Sequence, residues 1–274
     1  MSLPGMSIIA ATRNRAPQLK RMLDQVLEDT YPYLEIIIVD GASTDGTVDL
    51  LKSYSDKRLR WLSEPDGGEY YAVNKAVALS TKEIIKPMTD DDLIRPGAIL
   101  TAGSYLENHP EVEILFGQSV IWDTRGGKAT KTGGWLAKDK STLTMSHWLR
   151  GTTQAELVAS FIRRRVFEQI GSFATEYIAG DTEFAMRAVA AGVKMDVCAE
   201  VFIDYHITGA NTILTKRLAM NRDRFVLNWR YGGFREKCSA AYEYYVRQMP
   251  DRTGFHPKRW LRNAGLMRSP HLDA

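Results

Sequence analysis

The stretch Leu34–Asp40, LEIIIVD, runs straight into Gly41–Thr47, GASTDGT, and its reading decides the fold. Apolar side chains at every position from Ile36 to Val39 face both sides of a sheet, so the strand must be covered on both faces, as strands of a parallel sheet are. It ends on a carboxylate, turns through two glycines and enters a helical pattern at Thr47. Working outward, Met6–Ala11 reads as a preceding strand. Leu19, Met22, Leu23, Val26 and Leu27 recur at helical spacing after Pro17, a residue suited to a first helical turn. Thr47–Tyr54 continues as a helix, Leu59–Ser63 as a strand, Tyr71–Leu79 as a helix and Glu83–Met88 as a strand. This alternation predicts a doubly wound α/β sheet wrapped by helices.

The pattern weakens from Phe116 to Ser146, where Gly126-Gly127 and Gly133-Gly134 mark a loop-rich region. Leu157–Ile170 and Thr182–Ala191 read as helices, Lys194–Cys198 and Val201–Tyr205 as a short strand pair, and Ile213–Tyr231 and Phe234–Met249 as long helices. Residues 1–5 are set aside as an expression remnant or a frayed terminus. At 274 residues, 44% hydrophobic and 25% charged, the chain has the make-up of an ordinary globular protein with one large domain or a domain and an appendage. No run approaches the roughly 20 apolar residues of a membrane span, and no secretory signal opens the chain, so a soluble, cytoplasmic protein is expected. Cys198 and Cys238 are too few for a disulfide framework and read as buried small hydrophobes. The net charge of +3 is uneven: residues 1–212 carry 23 Lys and Arg against 28 Asp and Glu, and residues 213–274 carry 13 against 5, a net of +8. Such a basic segment meets phosphates, nucleic acid or an anionic membrane surface, or is a solvated helical face.

In doubly wound sheets, ligands lie beyond the carboxyl ends of the strands. Asp40 ends the second strand, where a carboxylate can accept from a base imide N–H or a ribose hydroxyl, while Ser43, Thr44 and Asp45 turn the chain and cap the next helix. Thr89-Asp90-Asp91-Asp92 follows the apolar strand ending at Met88. Three adjacent carboxylates repel unless a cation or hydrogen-bond donors neutralise them, and a hard divalent ion shared with a diphosphate would do so. Asp181 stands just before an amphipathic helix, as an N-cap or as a functional carboxylate.

Four strings, DGASTDGT at 40–47, SEPDGGEYYAVNKA at 63–76, MTDDDLIRPGAI at 88–99 and IAGDTEFAMRAVAAG at 178–192, together resemble glycosyltransferase family 2 in order and spacing, over roughly residues 6–212. The resemblance implies a GT-A fold: a Rossmann-like, mostly parallel sheet flanked by helices, with a nucleotide-sugar half at 6–115, an acceptor half at 116–212 and a basic helical appendage at 213–274. It implies that Ala11, Thr12, Arg13 and Asp40 hold the nucleoside. It places Asp66 and Gly67 in the loop over the nucleoside and Asn74 and Lys75 on the following helix, Lys75 either reaching a phosphate or standing on an exposed turn. The Asp cluster corresponds to the DxD motif that holds Mn²⁺ or Mg²⁺, with Asp92 as direct ligand beside Asp91, and Asp90 or Asp91 as a ribose or water-mediated contact. His206 is either a structural hydrogen-bonder or an aid to metal or diphosphate. Asp181 is the base that deprotonates the acceptor, with Glu183 as rival.

The implied activity is inverting transfer of one sugar from a nucleotide diphosphate sugar, UDP-sugar favoured, to a saccharide or lipid-linked hydroxyl in polysaccharide or glycolipid synthesis. The QxxRW motif of processive synthases is absent after Asp181, and no nucleic-acid partner is implied. The basic segment is expected to touch the inner face of the membrane peripherally, or to pack on the domain or a second subunit. The competing readings are a nucleotidyltransferase, which usually opens with a glycine-rich loop that ATRNRA lacks, and a degenerate binding or scaffold protein, which the intact Asp cluster and Asp181 oppose.

Overall fold

The computed structural model describes residues 3–137, 139–209 and 216–241. Its parallel half is built as the periodicity requires: β1 (Met6–Thr12), α1 (Ala16–Glu28), β2 (Leu34–Asp40), α2 (Thr47–Ser53), β3 (Leu59–Ser63), α3 (Glu69–Leu79) and β4 (Ile84–Met88). β1 pairs in parallel with β2 on one side and β4 on the other, and β2 pairs in parallel with β3. Every residue of β2 is buried. Alternation along the strands divides the core into two layers. Met6, Ile8 and Ala10 of β1 pack with Ile36 and Ile38 against Leu19, Met22 and Leu23 of α1. Ile9, Ile37 and Val39 face the other layer, with Ala72, Val73 and Ala76 of α3.

The second half comprises β5 (Leu93–Ile94), α4 (Ala98–Asn108), β6 (Ile114–Asp123), β7 (Thr130–Trp135), α5 (Met145–Arg150), β8 (Ser160–Arg163), α6 (Arg164–Ile170), α7 (Gly180–Ala190), β9 (Met195–Ile207), α8 (Arg217–Tyr231) and α9 (Phe234–Ala241). Among the described residues the nine strands form one mixed sheet in the order β3-β2-β1-β4-β8-β6-β9-β5, with β7 hairpinned onto β6. The fold is thus mixed α/β with a helical C-terminal part.

Several expectations are corrected here. The segment read as a helix at 157–170 is a 3-10 turn (Leu157–Ala159), then β8, then α6. β8 is a strand because it fills the gap between β4 and β6, antiparallel to both. The region read as loops at 116–146 contains the β6–β7 hairpin, and the strand pair at 194–205 is one long strand, β9, which follows β6 in parallel with two register shifts. Cys198 is buried, whereas Cys238 is exposed. Pro4 and Gly5 join the fold, through Tyr31 Oη to the Pro4 carbonyl at 2.6 Å and the Ile84 amide to the Gly5 carbonyl at 3.0 Å. Of the two long C-terminal helical patterns, residues 213–215 and 242–249 lie outside the described residues.

Candidate active site

The sheet order reverses between β1 and β4, and the carboxyl ends of these strands open a cleft of about 530 Å³. Thr12 closes β1 and its Oγ1 donates to Asp90 Oδ2 at 2.8 Å, which spans the switch point. Arg15, the residue before α1, pairs through Nε with Asp90 Oδ1 at 2.9 Å and through its terminal nitrogen with Asp91. Arg21 of α1 donates to the Asp91 carbonyl. One guanidinium therefore draws two neighbouring carboxylates onto the rim of the cleft, where Ala11, Arg13, Asp66 and Gly68 also lie.

The Asp cluster divides between two environments. Asp90 and Asp91 line the cleft. Asp92 does not; it is fully buried and accepts from the His206 amide at 2.8 Å and from the Thr89 hydroxyl. Burial, reinforced by Asp91, pushes Asp92 up to about 7 against the opposing pull of Thr89, the His206 amide and buried Lys86. Burial likewise lifts Asp90 to about 6 in spite of Arg15 and Thr12. His206 sits on β9 outside the cleft lining, and burial followed by the charge of Arg21 lowers its pKa.

The opposite wall is carried by α3 and α7. Asp181 occupies the first turn of α7 rather than its N-cap, which is Ala179. The Asp181 amide donates to Tyr70 Oη at 3.0 Å, and Tyr70 in turn donates to the Asp181 carboxylate. Tyr70 can come this close because Gly180 lies beneath its ring; a Cβ there would fall 2.7 Å from a ring carbon. The ring is also stacked on Phe173 at 5.5 Å. Burial raises the pKa of Asp181, opposed by the Thr182 amide at 2.7 Å and by Tyr70. Glu69 faces into the same space. Its side chain stays open to solvent, and desolvation in the cleft followed by the charges of Asp181 and Asp90 raises its pKa. Glu156 rises to about 8 through burial and then Asp181. Trp135, Tyr205, Lys216 and Met220 also line the cleft.

Of the other sequence candidates, only Asp66 lines the cleft. Glu183 is 1% exposed and bound by Arg187, whose Nη2 lies 2.8 Å away and which ties α7 to the Ile170 and Ser172 carbonyls. It does not line the cleft. Asn74 clasps the backbone of Phe173 from both sides, at 2.8 and 3.0 Å, and Lys75 pairs with Glu64 at 2.6 Å. Asp40 is fully buried and accepts from Ser63 Oγ at 2.6 Å and from the amide and hydroxyl of Ser43, so it holds the loop after β2 in shape. Asp66 caps the Gly68 amide at 2.9 Å and closes against Gly41, where a Cβ would stand 2.9 Å from its Oδ2. Gly67 is outside the lining, with the Tyr71 ring packed over it. Arg15, Tyr70, Glu156 and Trp135 were not singled out as site residues from sequence; only for Arg15 was there a signal, since an acidic triplet needs a nearby cation and ATRNRA offers two.

A divalent cation fits this cleft in one way. Among the described residues no three His, Cys, Asp or Glu side chains gather as a self-sufficient metal cluster. Asp90 and Asp91 nonetheless present hard oxygen ligands in an acid-rich cleft, and a small cation needs only one or two carboxylates when a bound diphosphate supplies the remaining oxygens.

The family model for glycosyl transferase family 2 matches residues 7–171, more than half of the chain. A PGL/p-HBAD biosynthesis glycosyltransferase of Mycobacterium tuberculosis is 27% identical over 192 residues, covering 68% of this chain and 70% of the relative. Glycosyltransferase AglE of Haloferax volcanii is 25% identical over 206 residues, 73% of this chain and 66% of the relative. Residues 1–349 of S. aureus TarS, solved with UDP-GlcNAc, superpose with a TM-score of 0.64 at 17% identity over 96% of this chain and 78% of that one. Mannosyltransferase PcManGT from Pyrobaculum calidifontis, solved with GDP-Man and Mn²⁺, also gives 0.64, at 20% identity over 98% and 77%. With the family model spanning β1 to α6 and the same fold recurring in solved glycosyltransferases, the chain belongs to glycosyl transferase family 2.

Proposed function

We propose that this glycosyltransferase moves one sugar from a nucleoside diphosphate sugar, UDP-sugar favoured, to a hydroxyl of a saccharide or lipid-linked acceptor with inversion at the anomeric carbon. The observation that carries the reading is that Asp90 and Asp91 on one wall and Asp181 on the other line a single cleft. The solved neighbours with UDP-GlcNAc and with GDP-Man support the donor class.

The roles follow from the positions. Ala11, Thr12, Arg13, Asp66 and Gly68 cradle the nucleoside and ribose, and the guanidinium of Arg15 sets the carboxylates of Asp90 and Asp91 toward the diphosphate. These two carboxylates would hold Mn²⁺ or Mg²⁺, and such an ion, when bound, supplies neutralisation of the negative charge on the departing diphosphate. Asp92, buried outside the cleft lining, braces this loop against β9 through Thr89 and the His206 amide. Asp181 accepts the proton of the acceptor hydroxyl; burial raises its basicity, and Tyr70 fixes the carboxylate's orientation. One base suffices for a direct displacement that inverts. Trp135, Tyr205 and Glu156 are placed to receive the acceptor beside Asp181.

The test is a panel of UDP-, GDP- and dTDP-sugars read by thermal shift and by release of the nucleoside diphosphate, with Mn²⁺ or with EDTA, followed by NMR of the product anomer. Cation-dependent stabilisation by one donor class and an inverted product are expected. A retained anomeric configuration, or release indifferent to EDTA, would overturn the inverting or the cation-assisted part respectively.

A further inference from the structure

The matched family region ends at residue 171, yet helix α8 at 217–231 reaches the cleft, where Lys216 and Met220 form part of the lining. The contact that joins α8 to the catalytic wall is unusual. Asp223 is 0% exposed, and its Oδ2 accepts from two successive backbone amides, Ile178 at 2.5 Å and Ala179 at 3.1 Å. These amides belong to the turn that delivers the chain into α7, two residues ahead of Asp181. An N-cap side chain would reach only the amides further along α7, not those of Ile178 and Ala179 ahead of the helix, so their acceptor is supplied from a distant part of the chain. The other carboxylate oxygen is held by Arg222, at 2.7 Å, which also donates to the Glu176 carbonyl at 3.1 Å. A buried carboxylate is costly unless its partners are in place, so this pairing locks α8 and the α7 entry turn in one arrangement. Leu227 and Asn228, one turn further along α8, are buried too, which keeps the helix from sliding.

We infer that Asp223 is a positioning residue for the transfer reaction: it fixes the turn at 178–179 and thereby the reach of Asp181 into the cleft. It touches neither donor nor acceptor; it acts through the backbone that carries the base. The Tyr70 bond to the Asp181 amide is the second restraint on the same turn, so loss of Asp223 leaves Asp181 tethered on one side only. A misplacement of the base of about an ångström costs on the order of a hundredfold in rate, whereas the donor wall of β1, β4 and Arg15 is built without α8.

This inference rests on Asp181 being the base, and the experiment keeps the two claims apart. Purified full-length Asp223→Ala, Asp223→Asn, Arg222→Gln and Asp181→Asn are compared for donor Kd by calorimetry, for kcat, and for the acid limb of the kcat–pH profile. Asp223→Ala is expected to lose roughly tenfold or more in kcat with donor Kd within about twofold, and to move the acid limb, because the surroundings of the Asp181 carboxylate change. Asp223→Asn keeps an acceptor oxygen for the two amides and should recover most of kcat, and Arg222→Gln, which removes the partner of the other oxygen but leaves the two amide bonds in place, should lose less kcat than Asp223→Ala. Should Asp223→Ala not fold, Asp223→Asn against Asp223→Glu, which is longer by one methylene and misplaces the same charge, carries the comparison with the same expected order. Wild-type kcat and acid limb in Asp223→Ala, or a kcat loss matched by equal loss of donor affinity, would overturn the positioning role while leaving the base assignment standing. Full turnover by Asp181→Asn would instead remove the base assignment itself.

Discussion

Asp90, Asp91 and Asp92 are adjacent in sequence and chemically identical, yet the fold separates them. Two face the cleft with Arg15 and one is sealed beneath it by Thr89 and the His206 amide. The sequence reading marks this triplet and puts Asp92 forward as the direct ligand; in the structure Asp90 and Asp91 line the cleft instead, because β9 places the His206 N–H on Asp92. Asp91→Asn should therefore abolish the Mn²⁺-dependent part of donor binding by calorimetry, whereas Asp92→Asn, whose oxygen can accept from the His206 amide while its NH2 donates to the Thr89 oxygen, should retain it; equal loss in both would return Asp92 to the ligand set. Glu156 had no sequence signal at all, being an isolated acid in a segment read as the approach to a helix. Its pKa is pushed up to about 8 from an ordinary 4.5. Between those values the folded chain retains a proton that the unfolded chain gives up, so its contribution to stability falls as pH rises through the window. Glu156→Gln removes that loss: its Tm should match the wild type near about pH 5 and exceed it near about pH 8. A Tm difference independent of pH would refute the assignment.

At the scale of elements, the parallel half was legible because β2 and its neighbours are buried on both faces and their helices carry regular apolar stripes. β7, TKTGGW, is largely exposed and glycine-bearing, so no hydrophobic pattern marks it. β8, SFIR, runs without a break into the helix Arg164–Ile170, and only pairing with β4 and β6 makes it a strand. Helix periodicity also missed the reason for Gly180. That glycine begins α7 where helix propensity would favour almost any other residue, and it is needed because the Tyr70 ring fills the space of a side chain. Gly180→Ala should destabilise the protein by about 1–3 kcal/mol through overpacking and reduce kcat by displacing Tyr70 from Asp181. Unaltered stability with unaltered kcat would mean that the ring yields without consequence for the base.

Over the whole molecule, no described helix is long and apolar enough to cross a membrane. α8 and α9 do expose Leu218 at 72%, Trp229 at 57% and Phe234 at 84%, with Lys237 over the Trp229 ring at 5.5 Å. Aromatic side chains beside cations suit an anionic membrane surface bearing a lipid-linked acceptor. Flotation with acidic liposomes that weakens with salt is the expected result; failure to float at low salt would leave this face to another subunit or to the rest of the chain. The division of residues 6–212 into a donor half and an acceptor half is likewise a proposal, and the cleft draws on both as well as on α8. What binds these scales together is one carboxylate on α7 facing the donor wall across the cleft. The most direct measurement is steady-state transfer by Asp181→Asn and Glu183→Gln at saturating donor, beside donor titrations of each. Asp181→Asn should lose about a hundredfold or more in kcat with donor Kd unchanged, while Glu183→Gln, altered at its bonds to Arg187 and Tyr231 outside the cleft, should keep near wild-type turnover at reduced stability; wild-type turnover by Asp181→Asn, or a folded but inactive Glu183→Gln, would contradict the account.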